Sequence, residues 1–340
     1  MPRRFLLAAA LAALAVMIMS SSALALNLRL NIMYNQKHPL SKEVFQPWAE
    51  QVAKVTQGRV KVTIFYSNAL CTSAQTFDAV TSGVTDIGCS CPTYTAERFP
   101  LSTIMDQPLM ASESSKDSSE VMQALYEQNP GMQKEFAEVV PLWFYLNPAY
   151  HLHFTKKEVK TLEDLKGLLV AAGGTVSNAM LKALGAAAEA IPMTEVYLAL
   201  QSGVVEGSIL PYAPLRSQRM TEVLKYHTEC SLAANGFYLI ANKEKWNSIS
   251  EEDRKAIMAI SGMKMATLTG QIFDKYEDID KEFMAKKGDV FYKLPKEERA
   301  RWAQLLKPLR EAWVKEGEAK GLPTRELMEI ATRLLAEREK

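Results

Sequence analysis

The amino-acid sequence predicts an α/β fold, and three observations carry that prediction. Between Thr161 and Pro214 two short apolar runs alternate with two amphipathic segments, in the order strand, helix, helix, strand. The 340 residues are 48% hydrophobic and 23% charged, an ordinary globular balance with length enough for two domains. Beyond Ser250 the apolar residues recur at helical spacing, so long helices close the chain.

Met1 to Ala25 carries two early arginines, an apolar run from Phe5 to Met19 and Ala23-Leu24-Ala25 before a more polar segment, the pattern of a secretory signal peptide. The run is short for a membrane span, so a mature, exported chain from about Leu26 is expected, an uncleaved anchor being the other reading. Asn27 to Tyr34 alternates as a first strand. A loop through Asn35, His38 and Pro39 leads into a helix over Ser41 to Val55, in which Pro47 requires a kink or a later start. Arg59 to Phe65 reads as a second strand, Ser73 to Thr81 as a helix and Asp86 to Cys91 as a third strand. In open α/β sheets ligands sit beyond the carboxyl ends of the strands, which nominates Tyr34, Asn35, Tyr66 and Cys91. A charged helical stretch from Asp106 to about Glu138 precedes an aromatic strand, Val140 to Tyr145. The turn Asn147-Pro148 marks a crossing into a second lobe, and Gly236 to Ala241 reads as a strand returning to the first. The domain organisation expected is thus 26–147 with about 236–275 as one lobe, and 148–235 with about 276–340 as the other.

The central stretch is read residue by residue. Leu168 to Ala172 is a buried strand ended by Gly173-Gly174. Val176, Met180 and Leu184 share a helix face behind a candidate cap at Thr175, and Gly185 stops that helix. Thr194 can cap a second helix with Glu195 in its first turn, ended by Gly203 before a strand from Val204 to Leu210. Ser250 with Asp253 starts a long helix into Met284. Trp302, Leu305, Leu306, Leu309 and Trp313 line one later helix face, and Leu327, Ile330, Ala331 and Leu334 line another.

The run EVYLALQSGVVEG at Glu195 to Gly207, preceded by DLKGL at Asp164 to Leu168 and followed by EVLKY at Glu222 to Tyr226, resembles the periplasmic solute-binding subunits of tripartite ATP-independent (TRAP) transporters, the DctP family. PWAEQV, QGRVKVTIFYSNAL and SGVTDIG upstream extend the resemblance over most of the mature chain. It implies a two-lobe periplasmic binding-protein fold of type II-like wiring with the ligand cleft between the lobes. It also implies a monomer working with small and large integral membrane permease subunits, no cofactor, no metal and no catalysis.

The same resemblance implies ligand positions, and here they depart from the family's pattern. Most relatives carry an arginine in the strand after DLKGL that grips a ligand carboxylate; that place is Ala171. A commonly basic position falls on Tyr150, or on His151 one residue along. The usual asparagine before the proline falls on Leu210, an acidic position on Cys91, and an often aromatic one on Met193. Charge-assisted hydrogen bonds contribute about 1.5–3 kcal/mol each, so a simple carboxylate loses its main anchor. A neutral or aromatic solute, or a cation over Tyr150 or Tyr212, is the expected ligand. The alternative is a carboxylate held by the helix N-terminus at Gly173-Gly174-Thr175 or by Arg216, against the plainer reading of a tight turn and a solvated arginine.

Lys+Arg 40 against Asp+Glu 39, with the basic residues dispersed, leaves no field to draw in nucleic acid. Cys71, Cys89, Cys91 and Cys230 in an exported chain suggest disulfides, with Cys71 and Cys91 near one rim of the first lobe; the connectivity stays open. A C-x-C spacing does not suit zinc, and a metal site drawing on His38, His151 or His153 is the weaker reading beside ordinary histidines. No nucleotide-binding, hydrolase or zinc-protease motif occurs. The rival class is therefore a periplasmic thiol or metal enzyme using Cys91.

Overall fold

The computed structural model describes residues 25–338. The expected signal peptide lies almost wholly outside them. No helix among the described residues is long and apolar enough to cross a membrane.

In the first lobe β1 (Leu26–Asn31) leads through a π-helical turn at Ser41–Phe45 into α1 (Gln46–Val55). The helical backbone runs without a break from residue 39, and the π-helical turn, in which Gln46 N donates to Ser41 O, lies just ahead of Pro47, so the structure accommodates the missing N–H with a widened turn rather than a later start. β2 (Val60–Phe65), α2 (Thr76–Thr81), β3 (Ile87–Ser90), α3 (Ser115–Gln128), α4 (Pro130–Glu135) and β4 (Val139–Leu146) follow. The chain then enters the second lobe with β5 (His151–Phe154), α5 (Leu162–Leu165), β6 (Leu169–Ala172), α6 (Thr175–Ala183), β7 (Ala187–Ala190), α7 (Met193–Ser202), β8 (Gly207–Leu210), α8 (Tyr212–Ser217) and β9 (Tyr226–Glu229). It returns through β10 (Gly236–Asn242), α9 (Lys243–Asn247), α10 (Glu251–Ala259) and α11 (Met263–Lys286), and ends with β11 (Val290–Lys293), α12 (Lys296–Ala319) and α13 (Thr324–Arg338).

Two sheets result, one of order β2-β1-β3-β10-β4 and one of order β11-β9-β5-β8-β6-β7. β1, β2 and β3 are mutually parallel where they pair, as are β6, β7 and β8, so both groups end their strands toward the same boundary between the lobes. The two crossings at 147–150 and 230–235 run side by side. Asn147 N donates to Asn235 O, Tyr150 N to Ala233 O and Leu232 N to Tyr150 O at 2.7–3.1 Å, and Asn235 N closes on Asn147 Oδ1 at 2.7 Å. α11 is a third connection: it packs on α3 and β4 at one end and on α8 at the other.

Several boundaries differ from the expectation. β7, Ala-Ala-Glu-Ala, is missing from the sequence reading because it has no β-branched or aromatic residue; backbone pairing to β6 alone makes it a strand. The expected strand from Val204 begins only at Gly207, since Val205 and Glu206 donate to Ala199 and Leu169 in the turn before it. α6 is capped by Gly174 rather than Thr175, and α7 starts at Met193 behind Pro192 rather than at Thr194. The helix expected over Ser250 to Met284 is two helices. Gly262, at φ 56°, breaks it and donates its N–H to Leu142 O at 2.7 Å, which an L side chain would resist. Residues 276–340 do not all belong to the second lobe: Trp302 and Leu306 pack there, whereas Leu327, Ala331 and Leu335 of α13 join the first-lobe core with Phe99, Val121 and Leu125. All four cysteines are free thiols, so the disulfide expectation is overturned. Cys89 instead makes a 3.0 Å contact with Tyr145 Oη, and Cys71 is an acceptor for Asn31 Nδ2 at 3.3 Å.

Candidate functional site

The strand ends define what can line the boundary. From the first lobe come the loop after β1, carrying Tyr34, His38 and Pro39, and the loop after β3, carrying Cys91 and Thr93. From the second come the residues after β8 and the start of α6. α11 passes between them, and three cavities lie along this boundary.

The first cavity, about 560 Å³, takes residues from both lobes, from the crossing at Asn147 and Pro148 and from α11. Its walls are largely aromatic and prolyl, with Tyr34, Phe237, Phe273 and Tyr276 beside Pro39, Pro148, Pro211 and Pro214. Tyr34 stacks on His38 at 4.3 Å and 25°, and its hydroxyl meets Tyr145 Oη at 3.1 Å, so the ring is fixed before any ligand arrives. His38 Nδ1 accepts Leu40 N at 3.2 Å, and burial lowers its pKa to about 4, leaving a neutral ring. Arg216 reaches the same cavity but already donates to Asp280 at 2.9 Å and lies 4.4 Å over the Phe283 ring. Glu277, one turn before Asp280 on α11, accepts the N–H groups of Tyr212 and Ala213 at 3.0 Å each.

A second cavity, about 400 Å³, is lined by His151, Tyr212, Glu229, Glu277 and Lys281 among others. His151 Nδ1 accepts Cys230 N and Ser231 N at 3.2 and 3.3 Å, and desolvation lowers its pKa to about 4, so it is neutral. Tyr212 donates its hydroxyl to Glu229 at 3.1 Å. The third cavity, about 610 Å³, opens on the other flank between Thr93, Asp106 and Gln107 of the first lobe, Thr175 and Val176 of α6, and Trp313 of α12.

The sequence candidates divide accordingly. Tyr34 lines the first cavity, and His151 and Tyr212 the second. Asn35 is exposed, with Oδ1 spent on the Lys37 N–H of its own turn, and Tyr66 accepts Gln46 Nε2 away from all three cavities. Cys91 is buried under Thr93, to which its thiol donates at 3.3 Å; burial raises its pKa, the opposite of what a reactive thiolate requires. Tyr150 packs on the second-lobe core and accepts Asn235 Nδ2 at 3.0 Å, so it braces the crossing. Ala171 and Leu210 lie in a core cluster with Val196, Leu200 and Tyr212 and line none of the three cavities. Met193 is 38% exposed on α7. Thr175 reaches the third cavity, while a Cβ at Gly173 or Gly174 would meet nothing within 4 Å, so no close approach requires those glycines. Among the described residues no cluster of three or more His, Cys, Asp or Glu could hold a metal.

Sequence reasoning missed Phe237, Phe273, Tyr276 and Glu277, because they come from β10 and α11, which reach the cavity only through tertiary packing. It also missed Asp106. This carboxyl is 3% exposed, accepts Thr93 Oγ1 and the Gly236 N–H (2.8 Å) at the start of β10, and so ties the cleft loop to the returning crossing. Desolvation raises its pKa to about 7 against those two bonds. The folded state then binds more protons than the unfolded state between about pH 4 and pH 7, so this group's contribution to stability falls as pH rises through that window. Asp106→Asn keeps the shape without the charge. Its melting temperature relative to wild type should rise on going from about pH 5 to about pH 8, and a pH-independent difference would show that the carboxylate is fully compensated.

The comparisons agree with this architecture. A family model described as bacterial extracellular solute-binding protein, family 7 (DctP) matches residues 30–316. The chain is 29% identical over 336 residues, 96% of each sequence, to the outer membrane transporter protein TsaT of Comamonas testosteroni. It is 30% identical over 134 residues, 39% of this chain and 40% of the other, to the C4-dicarboxylate-binding periplasmic protein DctP of Rhodobacter capsulatus. Among solved structures, a TRAP periplasmic solute-binding protein from Desulfovibrio salexigens superimposes with TM-score 0.86 at 27% identity, covering 92% of this chain and 96% of that one. A marine metagenome TRAP solute-binding protein specific for aromatic acid ligands, in complex with 3-hydroxybenzoate, gives TM-score 0.82 at 26% identity over 93% and 99%. Two sheets joined by paired crossings, a cleft at their strand ends and a family match over nearly the whole chain have one reading: this chain belongs to the DctP family and is a TRAP solute-binding protein.

Proposed function

We propose that this chain, exported to the periplasm behind a leader ending near Ala25, captures a small aromatic solute between its lobes and delivers it to the small and large permease subunits of a TRAP system. It does so as a monomer and without covalent chemistry. The observation that carries the ligand class is the 560 Å³ cavity, whose lining includes four Phe and Tyr rings and four prolines drawn from both lobes and α11. That volume and lining suit a single-ring solute, and ring stacking contributes about 0.5–1.5 kcal/mol beyond burial. A relative specific for aromatic acids supports the ring preference. With alanine at position 171, a simple dicarboxylate has no arginine at that place to meet it.

A carboxylate-binding reading keeps one specific support. Arg216 lines the same cavity and has N–H groups beyond the one given to Asp280. Gly173-Gly174-Thr175 supports it less, since only Thr175 reaches a cavity, on the other flank.

Contacts from both lobes are complete only when the lobes close, so ligand should shift the population toward a more compact form. A thermal-shift screen of neutral, cationic and anionic single-ring compounds identifies the probe, and small-angle scattering with the best of them should show a smaller radius of gyration. An unchanged radius at saturation would count against capture by closure.

A further inference from the structure

Resting on the reading that the first cavity is the solute site, the charges around it specify more. Its lining holds two carboxyl groups, Glu277 and Asp280, and one guanidinium, Arg216. Arg216 and Asp280 neutralise each other at 2.9 Å. His38 is neutral, and Lys281, one turn beyond Glu277, is held by Glu229. Glu277 is therefore left with two backbone N–H groups and no side-chain cation. Each of its oxygens accepts one of those bonds and keeps a lone pair.

We infer that the cavity selects an aromatic or aryl-alkyl amine, with Glu277 as the specificity-determining carboxylate that receives its ammonium group and the rings of Phe273, Tyr276 and Phe237 around it. An ammonium group supplies the counter-charge that lets Glu277 ionise, whereas an anion would keep Glu277 neutral and stand beside the Asp280 carboxylate. The aromatic faces add attraction for an ammonium that they do not offer a carboxylate. Desolvation pushes the Glu277 carboxyl up to about 8, so at neutral pH it is mainly protonated until an ammonium group beside it favours the charged form and the proton leaves on binding.

The test uses the mature chain and three compounds sharing one ring: benzylamine, benzyl alcohol and benzoate, titrated calorimetrically at neutral pH. Benzylamine should bind about tenfold or more tightly than benzyl alcohol, with benzoate weakest, because an ammonium–carboxylate hydrogen bond is worth more than a neutral one. Glu277→Gln should bring the amine-to-alcohol ratio to about one, and Glu277→Asp should restore a preference for the amine, a change in ratio that loss of the α8 contact alone would not produce. If Glu277→Gln does not fold by circular dichroism, the wild-type order and the Asp variant decide. Benzoate binding tightest, or an amine preference unchanged in the Gln variant, would overturn the inference while leaving an aromatic solute in place. Failure of all three rings to bind would instead remove the reading on which it rests.

Discussion

Ala171→Arg should destabilise the protein by about 3 kcal/mol or more and should not create a dicarboxylate site. Ala171 is 2% exposed on β6 and packs with Val196, Leu200, Leu210 and Tyr212 under α7. A guanidinium there must leave water, at a cost of several kcal/mol per ion when unpaired. Its neighbours in register are Glu189 on β7 and Ser208 on β8, and the Ser208 hydroxyl is buried with no partner. Those two groups could recover part of the cost, which is why the loss is set at about 3 kcal/mol rather than at the full penalty of an isolated charge. Urea denaturation gives the free energy, and calorimetry with succinate gives the function. An unchanged midpoint together with new, tight succinate binding would show that the cleft retains room for the anchor, and that the single residue at position 171 decides the ligand class.

Gly270→Val should cost about 3 kcal/mol and weaken whatever ligand the cleft holds. A Cβ at Gly270 would sit 2.3 Å from Lys116 Cα, 2.5 Å from Lys116 N and 2.6 Å from Ser115 O, all backbone atoms that no rotamer change can move aside. Helix propensity favours replacing the glycine by well under 1 kcal/mol, so overpacking wins. The damage spreads one turn along α11. There Asp274 accepts Ser114 Oγ, Ser115 N and Lys116 N at 2.7, 2.6 and 3.2 Å and thereby caps α3; separating the helices breaks those bonds and leaves N–H groups unpaired. Because α11 also carries Phe273, Tyr276 and Glu277 into the cavity, a shift at Gly270 displaces the site itself. A melting temperature within about 2 °C of wild type would mean that the α11–α3 crossing relaxes at little cost.

The sequence by itself determined the local elements whose periodicity or punctuation is strong. The alternating strands β1 and β2, the helix ended by Gly203 in the left-handed conformation and the Ser250 cap that accepts Asp253 N are all readable one residue at a time. Family membership was legible too, since phrases such as EVYLALQSGVVEG carry both a helix face and the glycine turn that follows it. Strand-end logic brought Tyr34 to the cavity. What the tertiary structure alone decided is which side chains meet across long separations. β7 is a strand through its hydrogen bonds to β6 and not through its residues. α13 crosses back to the first lobe because Leu327, Ala331 and Leu335 find an apolar surface there, a choice that helical spacing does not encode. Ala171 and Leu210, expected at ligand positions, lie in a core, while Phe273, Tyr276 and Glu277 lie about 240 residues from Tyr34 and share its cavity. Periodicity reports which face of an element is apolar; only packing selects the partner that covers it, and the solute site is made where that packing leaves a gap.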